Sequence, residues 1–227
     1  MISEDFYKRY SLFLSSNPLF PRYIRWVYEK TVKDFERTDI LPSFTKENFT
    51  ALLCGTCGEI TSGIFVDHIL KFNSRGRIII LDYGEAQVNH SKVYISTKFP
   101  DADVSYIVAD ARQSGIPNAS VDFIDTDFMF EYLDEQSLDQ LFVEWKRILA
   151  PGGCVAFRAF GTGSWFSELI YRLFIKSFCK LILKSDIYSH TLVSIEETMK
   201  KNGFEYFIAG KAFLPFGYRF VAKIKNT

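Results

Sequence analysis

Residues 49–82 read FTALLCGTCGEITSGIFVDHILKFNSRGRIIILD, and this stretch decides the fold. Phe49–Cys54 is a short apolar strand that runs into the tight turn Cys54-Gly55-Thr56-Cys57-Gly58. Glu59–Phe72 then carries apolar residues at helical spacing. Arg77–Leu81 is a β-branched run of the kind that a parallel sheet buries on both faces. Strand, glycine turn, helix and strand make one βαβ unit. The rhythm continues downstream, with Glu85–Phe99 helical, Val104–Val108 and Val121–Thr126 as strands, Ser137–Leu149 helical and Cys154–Phe160 as a strand. Alternation of this kind predicts a doubly wound, mostly parallel sheet.

The tail departs from that rhythm. Thr191–Asn202 is an amphipathic helix stopped by Gly203, and Phe204–Ala209 and Tyr218–Lys225 are strands separated only by Gly210–Gly217. So short a connection cannot hold a crossover helix, which makes these two strands antiparallel. Upstream of the sheet, residues 4–14 and 18–38 have helical spacing, with Asn17-Pro18 offering an N-cap and an N1 proline. The expected fold class is α/β: a Rossmann-like, doubly wound, mostly parallel seven-stranded sheet with an antiparallel C-terminal strand pair, N-terminal helices and a helical cap insertion. One domain covers 1–227, divided into an N-terminal helical cap (1–48), a core (49–160), a helical insertion (161–190) and a closing helix with two strands (191–227).

Composition agrees with a single globular domain: 227 residues, 48% hydrophobic and 24% charged. Lys plus Arg and Asp plus Glu are both 27, a formal charge of zero, which argues against nucleic acid as the partner. The zero conceals an asymmetry, because residues 1–150 hold 16 basic and 22 acidic side chains while 151–227 hold 11 and 5. Aromatics make up 17%, with 23 Phe, and crowd toward the two ends of the chain. The cysteines at 54, 57, 154 and 179 lie in apolar surroundings and do not form a disulfide framework. With no basic n-region ahead of an unbroken apolar run at the start, the expectation is a reduced, cytoplasmic protein.

Ligands of open α/β sheets bind outside the carboxyl ends of the strands. Strand one ends in the two-glycine turn, where bare backbone N–H groups at a helix start can face a ligand. Strand two ends in Asp82, 24 residues after Gly58, a position from which a carboxylate can accept both hydroxyls of a ribose. Strand three ends in Asp110-Ala111 and strand four in Asp125-Thr126-Asp127. Any one of these acids could be a turn residue or a helix cap. Asp82, Asp110 and Asp127 at successive strand ends describe a polar rim suited to a nucleoside. Cys54-Gly55-Thr56-Cys57 is also a C-x-x-C, but without a second pair or a nearby histidine no metal site is expected.

In order and spacing, Asp110-Ala111, Gly115-Ile116-Pro117, Ser120-Val121-Asp122 and Leu149-Ala150-Pro151-Gly152-Gly153 resemble the class I S-adenosylmethionine-dependent methyltransferases, in particular the small-molecule type 11 group. The resemblance covers roughly residues 49–160 and 191–225. It implies S-adenosyl-L-methionine as cofactor. Cys54, Gly55, Thr56 and Gly58 would pass the backbone along its methionine part, and Asp82 would bind the ribose. Tyr83 would lie against the adenine, Asp110 would accept from the exocyclic amine, the Ala111 N–H would reach a ring nitrogen, and Asp127 would sit near the amino-acid end and the methyl. The first turn departs from the family pattern, with no acid ahead of it and one glycine fewer. The alternative on the same fold is a non-catalytic binding protein with a degenerate cofactor turn.

Methyl transfer from a sulfonium is an in-line displacement, and a base is needed only when the nucleophile is protonated. His190 and Tyr132, the latter standing where many relatives have histidine, are the candidates; His68 and His90 fall within helices and read as structural. The expected acceptor is a small, apolar or aromatic molecule. Ser164–Lys184, SWFSELIYRLFIKSFCKLILK, carries Arg172, Lys176, Lys180 and Lys184 every four residues on an otherwise apolar segment. Charges through its length exclude a spanning helix. Two readings stay open: a cap helix packed on the sheet with its lysines in water, or peripheral contact of 164–184 with an anionic membrane or an apolar acceptor. The oligomeric state is not legible.

Overall fold

The computed structural model describes residues 17–225 apart from 39, 41, 57, 163, 178, 184–186 and 214–216. The expected helix over 4–14 lies outside the described residues. The elements are α1 (Phe20–Glu36), β1 (Thr50–Cys54), α2 (Glu59–Phe72), β2 (Arg77–Asp82), α3 (Glu85–Lys98), β3 (Val104–Val108), β4 (Val121–Asp127), α4 (Glu135–Ile148), β5 (Leu149–Phe160), α5 (Trp165–Ile170), α6 (Leu192–Lys201), β6 (Phe204–Phe213) and β7 (Gly217–Ile224). Seven strands form one sheet in the order β3-β2-β1-β4-β5-β7-β6. Pairings from β3 through β5 are parallel, and β7 runs antiparallel to both β5 and β6. The expected architecture is the observed one.

Strand residues alternate between two cores, as successive Cβ atoms point to opposite faces. Ala51, Leu53, Ile78, Ile80, Phe123, Ala156 and Val221 face α1, α2 and α3, against Ile24, Tyr28, Phe65, Ile69 and Ile95. Leu52, Ile124, Val155, Phe157 and Phe220 face α4 and α6, against Leu138, Phe142, Trp145, Ile195 and Met199. Aromatic rings fill much of the α4-side core. Phe157 stacks on Phe220 with centroids 4.6 Å apart, and Phe130, Phe142 and Trp145 close round Phe157. Rings of this size bury the most apolar area per residue ordered.

No α-helix joins β3 to β4. The link crosses from the sheet edge past β2 and β1 with one short 3₁₀ turn, Ala111–Gln113. It is fastened to α4 instead: Glu144 accepts from the Ser114 N–H at 2.9 Å and the Ser114 hydroxyl at 2.6 Å, and Ile116 is buried in the α4-side core. Asp122 likewise has a structural task, accepting from the Thr50 N–H at 2.9 Å and Lys46 Nζ at 2.7 Å. β5 starts earlier than its sequence suggests, at Leu149, and bulges against β4. Gly153 makes this feasible, since a Cβ there would lie 2.9 Å from the Ala150 carbonyl and 3.0 Å from that of Val121.

Two local expectations are corrected. Asn17-Pro18 does not cap α1: the Asn17 side chain accepts from the Leu19 N–H at 3.0 Å, and the helix begins two residues after Pro18, with Pro21 in its first turn. The insertion is not one regular helix either. Among the described residues, Trp165–Ile170 forms an α-helix behind a capping box at Ser164 and Ser167, and the chain then continues in wider π-type turns over Tyr171–Lys176 and Cys179–Leu183.

Candidate active site

Strand order reverses between β1 and β4, the kind of switch point at whose carboxyl edge open α/β sheets take their ligands. On the β1 side Gly55 has φ +82°, a left-handed conformation that disfavours side chains. A Cβ on Gly55 would meet Met129 Sδ at 3.3 Å and Thr126 Oγ1 at 3.9 Å, so the turn after β1 and the loop after β4 touch. Thr56 organises the turn, its hydroxyl accepting from the Gly58 N–H at 3.1 Å, and Gly58 (φ +98°) opens α2. Asp82 joins this turn to the next. Its buried carboxylate accepts from the Thr56 N–H at 2.6 Å and from the Gly84 N–H at 2.7 Å. Tyr83 follows it, half exposed.

Cys54 ends β1. Its side chain is buried in the α4-side core, and burial pushes its thiol up to about 12. A thiol that stays protonated is neither nucleophile nor ligand. Iodoacetamide at mildly alkaline pH is therefore expected to leave Cys54 unmodified in the native protein and to alkylate it after urea unfolding. Native alkylation at the unfolded rate, read by peptide mass spectrometry, would contradict the burial. Cys57 lies outside the described residues, among which no cluster of metal-binding side chains occurs.

Asp110, after β3, is held differently from Asp82. Asp110 accepts from Arg112 through its backbone N–H at 2.9 Å, Nε at 2.9 Å and Nη2 at 2.6 Å, and Arg112 Nη1 reaches Ser137 Oγ at 2.7 Å. The Arg112 side chain holds the Asp110 carboxyl below the usual carboxylate range. Sequence reading missed this arginine, although a basic residue two positions after an acid at a strand end was a usable signal. Asp127 closes β4 opposite Arg158 of β5; its side chain lies outside the described residues.

Beyond Asp127 the chain is strained. Phe128 has φ +50°, unusual for so bulky a residue, and its ring lies against Phe160 at 4.5 Å, while Phe160 in turn packs on Tyr171 at 5.6 Å. Tyr132 packs beside the Tyr171 cluster. Glu131, buried, accepts from the Phe160 N–H at 2.7 Å and so ties the loop to the end of β5. His190 is 4% exposed, with Nε2 2.9 Å from the Leu133 carbonyl and 3.1 Å from that of Phe130. Nε2 therefore carries the proton and donates, which fastens this loop and leaves Nδ1 as the acceptor nitrogen. His68 is structural as expected, held between Tyr28 and Phe72, and burial pulls its imidazole down to about 4.

Sequence reading also missed a pair of buried ion pairs under α1. Arg158 Nη1 lies 2.6 Å from Asp125 Oδ1, with side chains 1% and 0% exposed, and the guanidinium sits 5.4 Å over the Tyr28 ring. On β7, Arg219 is opposite Arg158; its Nε and Nη2 reach Asp34 of α1 at 2.7 and 3.1 Å, and it lies 5.7 Å over Trp26. Arg219 thus ties α1 to the sheet through the Asp34 carboxylate and the Trp26 face, and Arg158 through the Tyr28 face and the Thr31 hydroxyl, 3.5 Å from its Nη1.

The model of the methyltransferase domain family matches residues 43–157, half of the chain. No curated protein matches the chain by sequence. Among solved structures, a protein of Pyrococcus horikoshii is 17% identical with a TM-score of 0.63, over 87% of this chain and 91% of that one. A SAM-dependent methyltransferase of Aquifex aeolicus is 19% identical with a TM-score of 0.60, over 91% and 93%. Geranyl diphosphate C-methyltransferase of Streptomyces coelicolor, solved with Mg2+, geranyl diphosphate and S-adenosyl-L-homocysteine, is 15% identical with a TM-score of 0.61, over 86% and 79%. The glycine turn and the buried Asp82 at the switch point fit the cofactor of that family, S-adenosyl-L-methionine. The chain belongs to the methyltransferase domain family and is a class I S-adenosylmethionine-dependent methyltransferase.

Proposed function

We propose that the chain methylates a small apolar or aromatic acceptor admitted over the carboxyl ends of β4 and β5. The observation that carries this is the aromatic wall of Phe128, Phe160 and Tyr171, which begins one residue before the methionine packed on Gly55. When bound, the cofactor supplies an electrophilic methyl group. In this reading Gly55, Thr56 and Gly58 line its amino-acid part, with Cys54 contributing backbone, and Asp82 takes the ribose hydroxyls. Tyr83 covers the adenine, Asp110 accepts from its amine while held by Arg112, Ala111 donates its N–H, and Asp127 stands at the amino-acid end. The rings exclude water and align the acceptor, which is most of what an in-line displacement asks of a protein. Where the acceptor carries a proton, His190 Nδ1, or the Tyr132 oxygen as its phenolate, is the group that takes it.

The likeness in fold to geranyl diphosphate C-methyltransferase, solved with geranyl diphosphate bound, supports an apolar acceptor. The test incubates the protein with methyl-labelled S-adenosylmethionine and a panel of isoprenoid, aromatic and polar acceptors. Label is expected in the apolar ones, with Phe160→Ala raising KM about tenfold as one buried ring contact is lost. Transfer confined to polar acceptors, or a KM indifferent to Phe160→Ala, sinks the reading.

A further inference from the structure

The stretch from the start of α5 to Leu181 exposes apolar side chains that a water-facing surface usually hides. Trp165 is 78% exposed and Leu181 76%, and Phe166, Leu169, Leu173 and Phe174 are exposed as well. Its opposite side is already satisfied: Tyr171 and Cys179 are buried with Ile187 against Tyr132 and Phe160, and the Tyr171 hydroxyl donates to the Tyr188 carbonyl at 2.8 Å. The outward apolar residues therefore have no place left in the core. Contiguous apolar patches of this kind mark interaction surfaces. Arg172, Lys176 and Lys180 stand exposed among them, and Glu168 accepts from Arg172 Nε at 2.7 Å and from Ser189 Oγ at 3.0 Å.

We propose that this face, Trp165 to Leu181, seats the protein peripherally on an anionic lipid bilayer. Charge decides among occupants. In a two-fold pairing of copies the patch would meet itself, setting Arg172, Lys176 and Lys180 against like charges. An anionic bilayer receives the rings and leucines at its acyl boundary while its headgroups take the basic side chains. The tryptophan, amphipathic and at the start of the segment, suits the headgroup level. Among the described residues no helix is long and apolar enough to cross a membrane, so the contact is interfacial. The inference stands independently of which acceptor is methylated.

The test is co-sedimentation of the full chain with vesicles of phosphatidylcholine alone and of an equal mixture with phosphatidylglycerol. Wild type is expected to pellet with the mixed vesicles and to be released by high salt. Lys176→Glu/Lys180→Glu and Trp165→Ser/Phe174→Ser are each expected to lower the partition at least about tenfold. Circular dichroism and the thermal midpoint confirm that the variants fold; the charge reversal, at two exposed positions, decides alone should the aromatic variant not fold. Wild type left in the supernatant, or charge-reversed protein that pellets as wild type does, overturns the proposal. So does a lipid-free dimer that the aromatic variant dissociates without any vesicle binding.

Discussion

Asp82→Ala is expected to weaken S-adenosylhomocysteine binding, measured by calorimetry, at least about a hundredfold. Hydrogen bonds to a charged acceptor are worth about 1.5–3 kcal/mol each, and two of them to ribose hydroxyls exceed the roughly 2.8 kcal/mol that a hundredfold change requires. Asp82 also accepts from the N–H groups of Thr56 and Gly84, so its loss leaves two donors of the turns unmatched. That second effect lowers stability and must be separated from the first. Asp82→Asn keeps the shape and one acceptor oxygen while removing the charge. It should lose affinity with a smaller drop in thermal midpoint than alanine. Alanine protein that binds as tightly as wild type would remove Asp82 from the cofactor site.

The second large effect is on stability. Arg158→Met is expected to cost about 3–5 kcal/mol in urea unfolding, because it strands the Asp125 carboxylate where no water reaches. Against a total of about 5–15 kcal/mol for a domain, that is enough to leave a marginal protein. Adding Asp125→Leu should recover most of the loss, since a buried pair replaced as a whole by apolar side chains is often neutral. If the two single losses simply add in the double variant, the pair is not coupled and the account of it is wrong.

The sheet was legible because its signals are local. Glu59–Phe72 is found residue for residue, since a glycine precedes it and an apolar face runs through it. The antiparallel end followed from one short connection between β6 and β7. Signals failed where the partner is remote in the chain. Asp34 and Arg219 are 185 residues apart, and nothing near either one announces the other. Arg158 sits in an apolar strand as an anomaly whose meaning appears only when Asp125 and Tyr28 are set beside it. In the rim, Asp82 could be found from its distance to the glycines, whereas the grip of Arg112 on Asp110 depends on the turn that brings them together. The insertion was readable as amphipathic but not as π-turned, because the wider turn leaves the four-residue stripe intact.

The position of β7 bears on how the chain is made. It follows the other six strands in sequence yet lies inside the sheet, between β5 and β6. A chain emerging from the ribosome can assemble β1 through β5 early, but β6 has no neighbour to pair with until β7 arrives. Over that interval β5 is an open edge, with the hazards such edges carry. Arg219 arrives with β7, so α1 gains its Asp34 fastening at the same moment. Completion of the sheet and the Asp34 fastening of α1 are thereby a single late event, and a nascent chain stalled before Gly217 has neither.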